Sequence, residues 1–409
     1  MAASTLSLQI LIAERVYTPE EIGGPVAVVL EGPTIRTIWR GVDAAAARRL
    51  ASERLPGRQV EVVNLGAWRL APGYVDLHIH GFHGHDMSNG PSEDVAAVAQ
   101  ALPRTGVTAF LPTIGTNSRE GTARQVARVT AAAEHQSPTN ASQVVGIRLE
   151  GPFISHAKRG AQYEPGIRPP DAAELAELVS MGHGWIRVVD YAPEEDPEQR
   201  FLARALDLDL VPSIGHTAAT FDQVVRAIDA GARHATHLFN ANSPLDHRAP
   251  GVPGAFLTDP RTTVEVIADG IHLHPTLLKL VVAARGAHHV ALITDGAAAA
   301  GLPDGVYEFV NRTVHVADGA VRLPNGTLAG SALTIDRAVR TMVTRGGVAW
   351  ADALRMATLT PAGIASIAEQ KGHIAAHADA DLVALDEHGN VQRTWVRGQL
   401  VYDAAAGIQ

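Results

Sequence analysis

Pro72-Gly73-Tyr74-Val75-Asp76-Leu77-His78-Ile79-His80-Gly81 is the stretch from which the rest of the chain is read. Tyr74 to Ile79 has the β-branched and apolar character of a short buried strand. His78 and His80 stand at its C-terminal end. Residues two apart on a strand share a face, so both imidazoles project into one space. Gly81 follows, as a sharp exit from the strand requires. Two imidazoles at the mouth of a buried strand are costly unless they bind something, and a metal ion is the obvious candidate. The pair alone is weak evidence. Its weight depends on whether later strands end the same way.

Four later runs do. Val144–Leu149 is followed by Glu150-Gly151-Pro152, and Val211–Gly215 by His216. Ala235-Thr236 leads into His237, and Val290–Thr294 into Asp295-Gly296. Each residue alone has a bland explanation as a helix cap, a core histidine or a loop carboxylate. Five strand-like runs in order, all ending in His, Glu or Asp, are harder to dismiss.

Short apolar runs near 74–80, 107–113, 144–149, 185–190, 209–214, 233–238, 263–268 and 289–294 predict eight strands. Helical apolar spacing lies between most of them, at Ser92–Leu102, Ser118–Ala133, Asp171–Val179, Phe221–Ala230 and Pro275–Ala284. Eight β/α units in sequence point to an α/β fold with a closed (β/α)8 TIM-type barrel. An open sheet is the alternative, because no local signal marks closure. Residues 6–66 and the last forty carry β patterning, expected to pair as one small flanking β-sandwich. The implied division is 1–70 and 367–409 for that unit and 71–366 for the barrel. A β-hairpin insertion is expected near 305–330, where Asp318-Gly319 and Asn325-Gly326 mark turns.

Composition narrows the chemistry. The chain has 409 residues, 46% hydrophobic and 19% charged, which suits a soluble protein with a large core. It has no cysteine and 19 histidines, so a metal site must use nitrogen and oxygen ligands. A net charge of −9 gives no footprint for nucleic acid or a membrane surface. Leu6–Ala13 is apolar but interrupted by Gln9 and preceded by no basic residue, so it reads as a strand and not a signal peptide. No run approaches the ~18 apolar residues of a membrane span, and a cytoplasmic location is expected.

His78, His80, Glu150, His216, His237 and Asp295 form a hard ligand set suited to zinc, iron, manganese or cobalt. Such an ion polarises a carbonyl and acidifies a water. An aspartate beside that water can take its proton and pass it to a leaving amine. This is apparatus for hydrolysis of an amide or a related C–N bond. A purely structural metal site is the bland alternative, but structural sites are closed and tetrahedral, and six ligand-type residues exceed that need.

Longer motifs carry a resemblance. They are PGYVDLHIHG (72–81), LEGPFISHAKRGA (149–161), GHT (215–217), ATHLFNANSPLDHRAPGVPGAF (235–256), ADGIHLHP (268–275), ITDGAAAAGLPDGVYEF (293–309), TLAGSALTIDRAV (327–339) and GHIAAHADADLVALD (372–386). The chain resembles the amidohydrolase superfamily and, within it, the N-acetylglucosamine-6-phosphate deacetylase family, almost end to end. The resemblance implies hydrolysis of an N-acetylated amino-sugar 6-phosphate to acetate and the free amine. It implies one divalent ion on Glu150, His216 and His237, and a second between His78, His80, Glu150 and Asp295. Zinc or iron is favoured, with manganese and cobalt as alternatives. Asp295 resembles the catalytic base. Arg248 and His272 resemble the groups that hold the phosphate, and Asn240 and Ala241 offer backbone contacts. In the family the arginine loop reaches in from the neighbouring subunit, which implies a homodimer.

The chain departs from the family pattern in two places beside the site. Gln162 replaces a histidine that lies near the scissile carbonyl in relatives, and is expected to touch substrate. Gly296-Ala297 replaces Ala-Met after the aspartate. Alternative activities are an amidohydrolase for another N-acyl amino sugar, such as the galacto epimer or an unphosphorylated compound, or for a cyclic amide. A catalytically silent homologue is the remaining alternative.

Overall fold

A computed structural model describes residues 8–18, 20–137, 140–309 and 312–406. Leu6 and Ser7 of the expected first strand lie outside these residues. All eight expected strands are present. We label them β1 (Tyr74–Ile79), β2 (Val107–Gly115), β3 (Ile147–Glu150), β4 (Ile186–Tyr191), β5 (Val211–Ile214), β6 (His234–Ala235), β7 (Thr263–Ile267) and β8 (Val290–Ile293). Each pairs in parallel with the next. The ring closes through a parallel bridge between Ile79 and Gly296, with the Asp295 N–H donating to the His78 carbonyl at 2.8 Å. A side-chain clasp reinforces this seam, where Oγ1 of Thr294 donates to Oδ2 of Asp76 at 2.6 Å. The architecture is therefore a barrel and not an open sheet. Every strand C-terminus falls on one rim.

The five expected helices appear within a few residues of their predicted ends. Five barrel helices lie outside the predicted ones: Arg200–Asp207, Gly251–Thr258, Ile335–Thr344, Trp350–Ala357 and Leu359–Ile364. Arg200–Asp207 enters from Gln199, a non-glycine residue at φ 57°. Gly251–Thr258 contains two glycines and a proline, poor helix formers, yet residues 251–257 are all buried and tertiary packing holds them helical. Among the described residues no helix is long and apolar enough to cross a membrane.

N- and C-terminal strands share one eight-stranded flanking sheet, joined where Arg69–Pro72 pairs antiparallel with Leu382–Leu385. Strand alternation fastens this sheet to the barrel. Val383 and Leu385 enter the barrel core, while Leu382 and Ala384 face a second apolar cluster around Trp395 and Val28. The all-β reading of residues 6–66 needs correction, because Ala44–Arg54 is a helix. Asp43 caps it by accepting from the Ala46 N–H at 2.8 Å, and Ala47 and Ala51 bury one face against Leu8, Ile10 and Trp39. The insertion is larger than one hairpin. Strands Gly305–Phe309, Arg312–Ala317, Ala320–Arg322 and Leu328–Ser331 form an antiparallel meander. Asp318 and Gly319, both at positive φ (52° and 78°), make its expected tight turn. Its last strand returns to the rim, where the Ser331 N–H donates to the Asp295 carbonyl at 2.7 Å.

Candidate active site

Strand ends bring the six predicted ligand residues together. His78 is fully buried on the inner face of β1, and His80 lies just past its end, their rings 5.3 Å apart. The Gly81 requirement is steric: a Cβ there would sit 2.2 Å from the His85 carbonyl oxygen and 2.9 Å from Cα of Ala298. Glu150 closes β3 and occupies the centre. Its Oε1 lies 3.1 Å from Nε2 of His216, 3.0 Å from Nε2 of His237 and 3.3 Å from Nε2 of His78. Its Oε2 lies 3.0 Å from Nε2 of His80. Oδ1 of Asp295 is 3.5 Å and 3.3 Å from the Nε2 atoms of His78 and His80. His216, His237 and Asp295 all adopt positive φ (47°, 29° and 50°) as the chain leaves its strand. Such conformations cost about 1–3 kcal/mol each in a non-glycine residue and collect at functional sites.

The donor set fits a metal. Two overlapping groups have their ligand atoms close together, His78/His80/Glu150/Asp295 and Glu150/His216/His237. Nδ1 of His216 lies 2.8 Å from the Lys158 carbonyl oxygen and Nδ1 of His237 lies 3.1 Å from that of Asn240. A carbonyl only accepts, so each Nδ1 carries the proton and each Nε2 presents a lone pair. These two Nε2 atoms face each other at 3.2 Å, an arrangement that a shared cation stabilises. Both ring nitrogens of His78 are buried without a hydrogen-bond partner, which fits a metal ligand. Burial opposes ionisation of Glu150, but the surrounding imidazoles outweigh it and hold its carboxyl well below the usual range. Asp295 behaves likewise: burial raises its pKa, His78 and His80 lower it, and the net direction is down.

A cavity of about 540 Å³ opens above this cluster. His80, Glu150, His216, His237 and Asp295 reach into it, and Gln162, Asn240, Ala241 and His272 also line it. Gln162 is engaged on both sides: its Nε2 donates to Oε2 of Glu150 at 2.6 Å and its Oε1 accepts from the Thr116 N–H at 2.8 Å. Nδ1 of His272 lies 2.6 Å from Oδ2 of Asp269, which orients its ring. Arg248 is the exception. It is exposed on the loop before Gly251 and does not line the cavity of its own chain.

Three features escaped the sequence reading. Arg322, on the meander, is the one Lys or Arg among the described residues lining the cavity. Beneath the ligands, fully buried Arg148 donates to Asp190, Glu265 and Oγ1 of Thr236. Nε2 of His234 lies 2.9 Å from Oε1 of Glu265. The available signal was a charged residue inside each apolar run, at Arg148, Asp190 and Glu265.

Residues 69–401 match the model of the amidohydrolase family. The chain belongs to that family. Among amidohydrolases it is 35% identical over 380 residues to an N-acetylglucosamine-6-phosphate deacetylase of Bacillus subtilis (strain 168), covering 92% of this chain and 96% of that one. It is 36% identical over 341 residues to an N-acetylgalactosamine-6-phosphate deacetylase of Escherichia coli O157:H7, covering 83% and 90%. A mutant N-acetyl-D-glucosamine-6-phosphate deacetylase of Mycobacterium smegmatis, solved in complex with N-acetyl-D-glucosamine-6-phosphate, superposes with TM-score 0.87 at 32% identity, covering 97% of this chain and 99% of that one. As an amidohydrolase, the chain is a metal-dependent hydrolase.

Proposed function

We propose that the chain hydrolyses the N-acetyl group of N-acetyl-D-glucosamine 6-phosphate, giving glucosamine 6-phosphate and acetate. The observation that carries this is Glu150, one carboxylate shared by two histidine pairs on the floor of a cavity that also receives Asp295. Near end-to-end similarity to amino-sugar phosphate deacetylases supports the substrate class. Glu150, His216 and His237 would hold one divalent ion, and His78, His80, Glu150 and Asp295 a second; zinc or iron fits these ligands. Such an ion supplies Lewis-acid polarisation of the acetyl carbonyl and a more acidic water. Asp295 accepts the proton of the attacking water as its oxygen bonds the carbonyl carbon. It then returns that proton to the departing nitrogen as the C–N bond breaks, so one water is consumed. Asn240 and Ala241 would contact the sugar, and His272 the phosphate. The catalytic unit is 71–366, flanked by 1–70 and 367–409, in a cytoplasmic enzyme.

The galacto epimer is a second substrate candidate, favoured by the equal similarity of the Escherichia coli relative. Assay of both epimers, each with and without the 6-phosphate, decides between them. Deacetylation of neither phosphorylated sugar would overturn the proposed activity.

Arg248 would read the phosphate from the partner subunit of a homodimer, which accounts for an arginine outside its own cavity. Arg248→Ala is expected to weaken the phosphorylated substrate by about 2–5 kcal/mol, the cost of truncating one partner of a desolvated charge pair. Turnover of the unphosphorylated sugar should barely change. Mixed dimers of Arg248→Ala and Asp295→Asn chains should regain activity, because one site then has both intact residues. No recovery in verified mixed dimers would place the arginine's action within one chain.

Gln162 steadies Glu150 through its amide. Gln162→Leu removes that donor and leaves the Thr116 N–H unpaired, at a cost of about 1–3 kcal/mol. A roughly tenfold or greater fall in kcat/KM is expected. Gln162→His keeps a donor and should retain or raise activity. An inactive histidine variant beside an active leucine variant would show that the amide does something else.

A further inference from the structure

Glu265 sits beneath both ligand groups, fully buried on the inner face of β7. Its two oxygens face different neighbours. Oε1 accepts from Arg148 and lies 2.9 Å from Nε2 of His234. Oε2 lies 3.6 Å from Nδ1 of His78 and 3.4 Å from the backbone N of His237. The first contact belongs to one ligand group and the second to the other. Arg148 also contacts Asp190 through both carboxylate oxygens, at 2.9 and 3.1 Å, so Glu265 is not its sole counter-ion.

We propose that Glu265 is a positioning residue that aims His78 at the ion of the His78/His80/Glu150/Asp295 group and ties that group to the Glu150/His216/His237 group. The proposal rests on the metal-dependent activity proposed above. A ligating imidazole is fixed by what its second nitrogen donates to, and a carboxylate there also raises its basicity. For His216 and His237 that acceptor is a backbone carbonyl. For His78 the carboxylate facing Nδ1 is Glu265, whose Oε2 lies at 3.6 Å, just beyond hydrogen-bond length. His237 is held redundantly, because its ring is fixed by Asn240 and the next residue, Leu238, donates its N–H to the Glu265 carbonyl at 2.9 Å. The His78 backbone is held, by the Asp295 N–H on its carbonyl and by Oδ1 of Asp76 on its N–H, but neither nitrogen of its ring has a hydrogen-bond partner among the described residues. Disturbing Glu265 should therefore empty one group and spare the other.

The test is metal content and affinity in intact protein loaded with zinc and freed of excess, for wild type, Glu265→Asp and Glu265→Gln. Glu265→Asp keeps the charge beside Arg148 and withdraws the carboxylate by one methylene. Wild type is expected to hold two ions per chain. Both variants should hold one, with the second bound about 10–100-fold more weakly in competition with a chelator. A residue that only balanced Arg148 would lower the melting temperature of metal-free protein in Glu265→Gln and leave stoichiometry at two. Two tightly held ions in Glu265→Asp, which keeps the fold's charge balance, overturn the proposal. A wild type that holds one ion also overturns it, while leaving metal-dependent deacetylation intact. A metal-free wild type with full activity instead overturns the proposed function.

Discussion

Replacing His237 with alanine, or stripping the protein with a chelator, is expected to reduce turnover to background. Glu150, His216 and His237 form the group that no other ligand can complete, since removal of one imidazole leaves a carboxylate and one nitrogen. A bound ion would make its water far more acidic than bulk water, so without it hydroxide at neutral pH becomes scarcer by roughly eight orders of magnitude. Elemental analysis should show the loss of this ion in His216→Ala and His237→Ala. Restoring zinc should rescue the stripped wild type but neither variant, because ligand and metal are linked. His78→Ala should weaken only the second ion. Full activity in verified metal-free protein would remove the basis of the mechanism.

Much of this arrangement was legible in the sequence because a parallel barrel writes its rim at regular intervals. Each inward strand is an apolar run, and the ligands gather at or just past its C-terminal end, as Glu150 follows Leu149 and Asp295 follows Thr294. Closure was not legible. It depends on the Asp76–Thr294 clasp and the Ile79–Gly296 bridge, contacts across more than two hundred residues. The layer beneath the ligands was hidden for a related reason. Arg148 is two residues from Glu150 and shares its face, but its partners Asp190 and Glu265 meet it only once β4 and β7 curve round the axis. Helix Ala44–Arg54 was missed although Ala44–Ala47 and Arg48-Arg49 favour a helix, because the strands on either side set the reading. Gly251–Thr258 could not have been found from propensity at all. Arg248 is legible as a loop matching the family, whereas its position outside its own cavity is a property of three-dimensional placement.

Asp295→Asn is expected to lower kcat by at least ~10²-fold, the low end for a positioned acid–base group, with little change in KM. The substitution isolates the proton-accepting role better than alanine would. Asparagine has nearly the same shape, and it is among the few residues that tolerate the left-handed conformation Asp295 adopts at φ 50°. The contacts that fix this position are backbone ones, from the Asp295 N–H to the His78 carbonyl and from the Ser331 N–H to the Asp295 carbonyl, and they survive the change. What disappears is the negative charge that His78 and His80 hold ionised. A neutral amide cannot take a proton from water near pH 7 or return one to the leaving nitrogen. Because Asp295 also lies in the His78/His80/Glu150 group, metal content must be measured alongside turnover. Loss of turnover with both ions retained identifies the base; loss of the second ion with it identifies a ligand whose removal acts through the metal. Wild-type turnover in Asp295→Asn would mean that another group moves the proton, and His272 and His80, which also line the cavity, would be the next to replace.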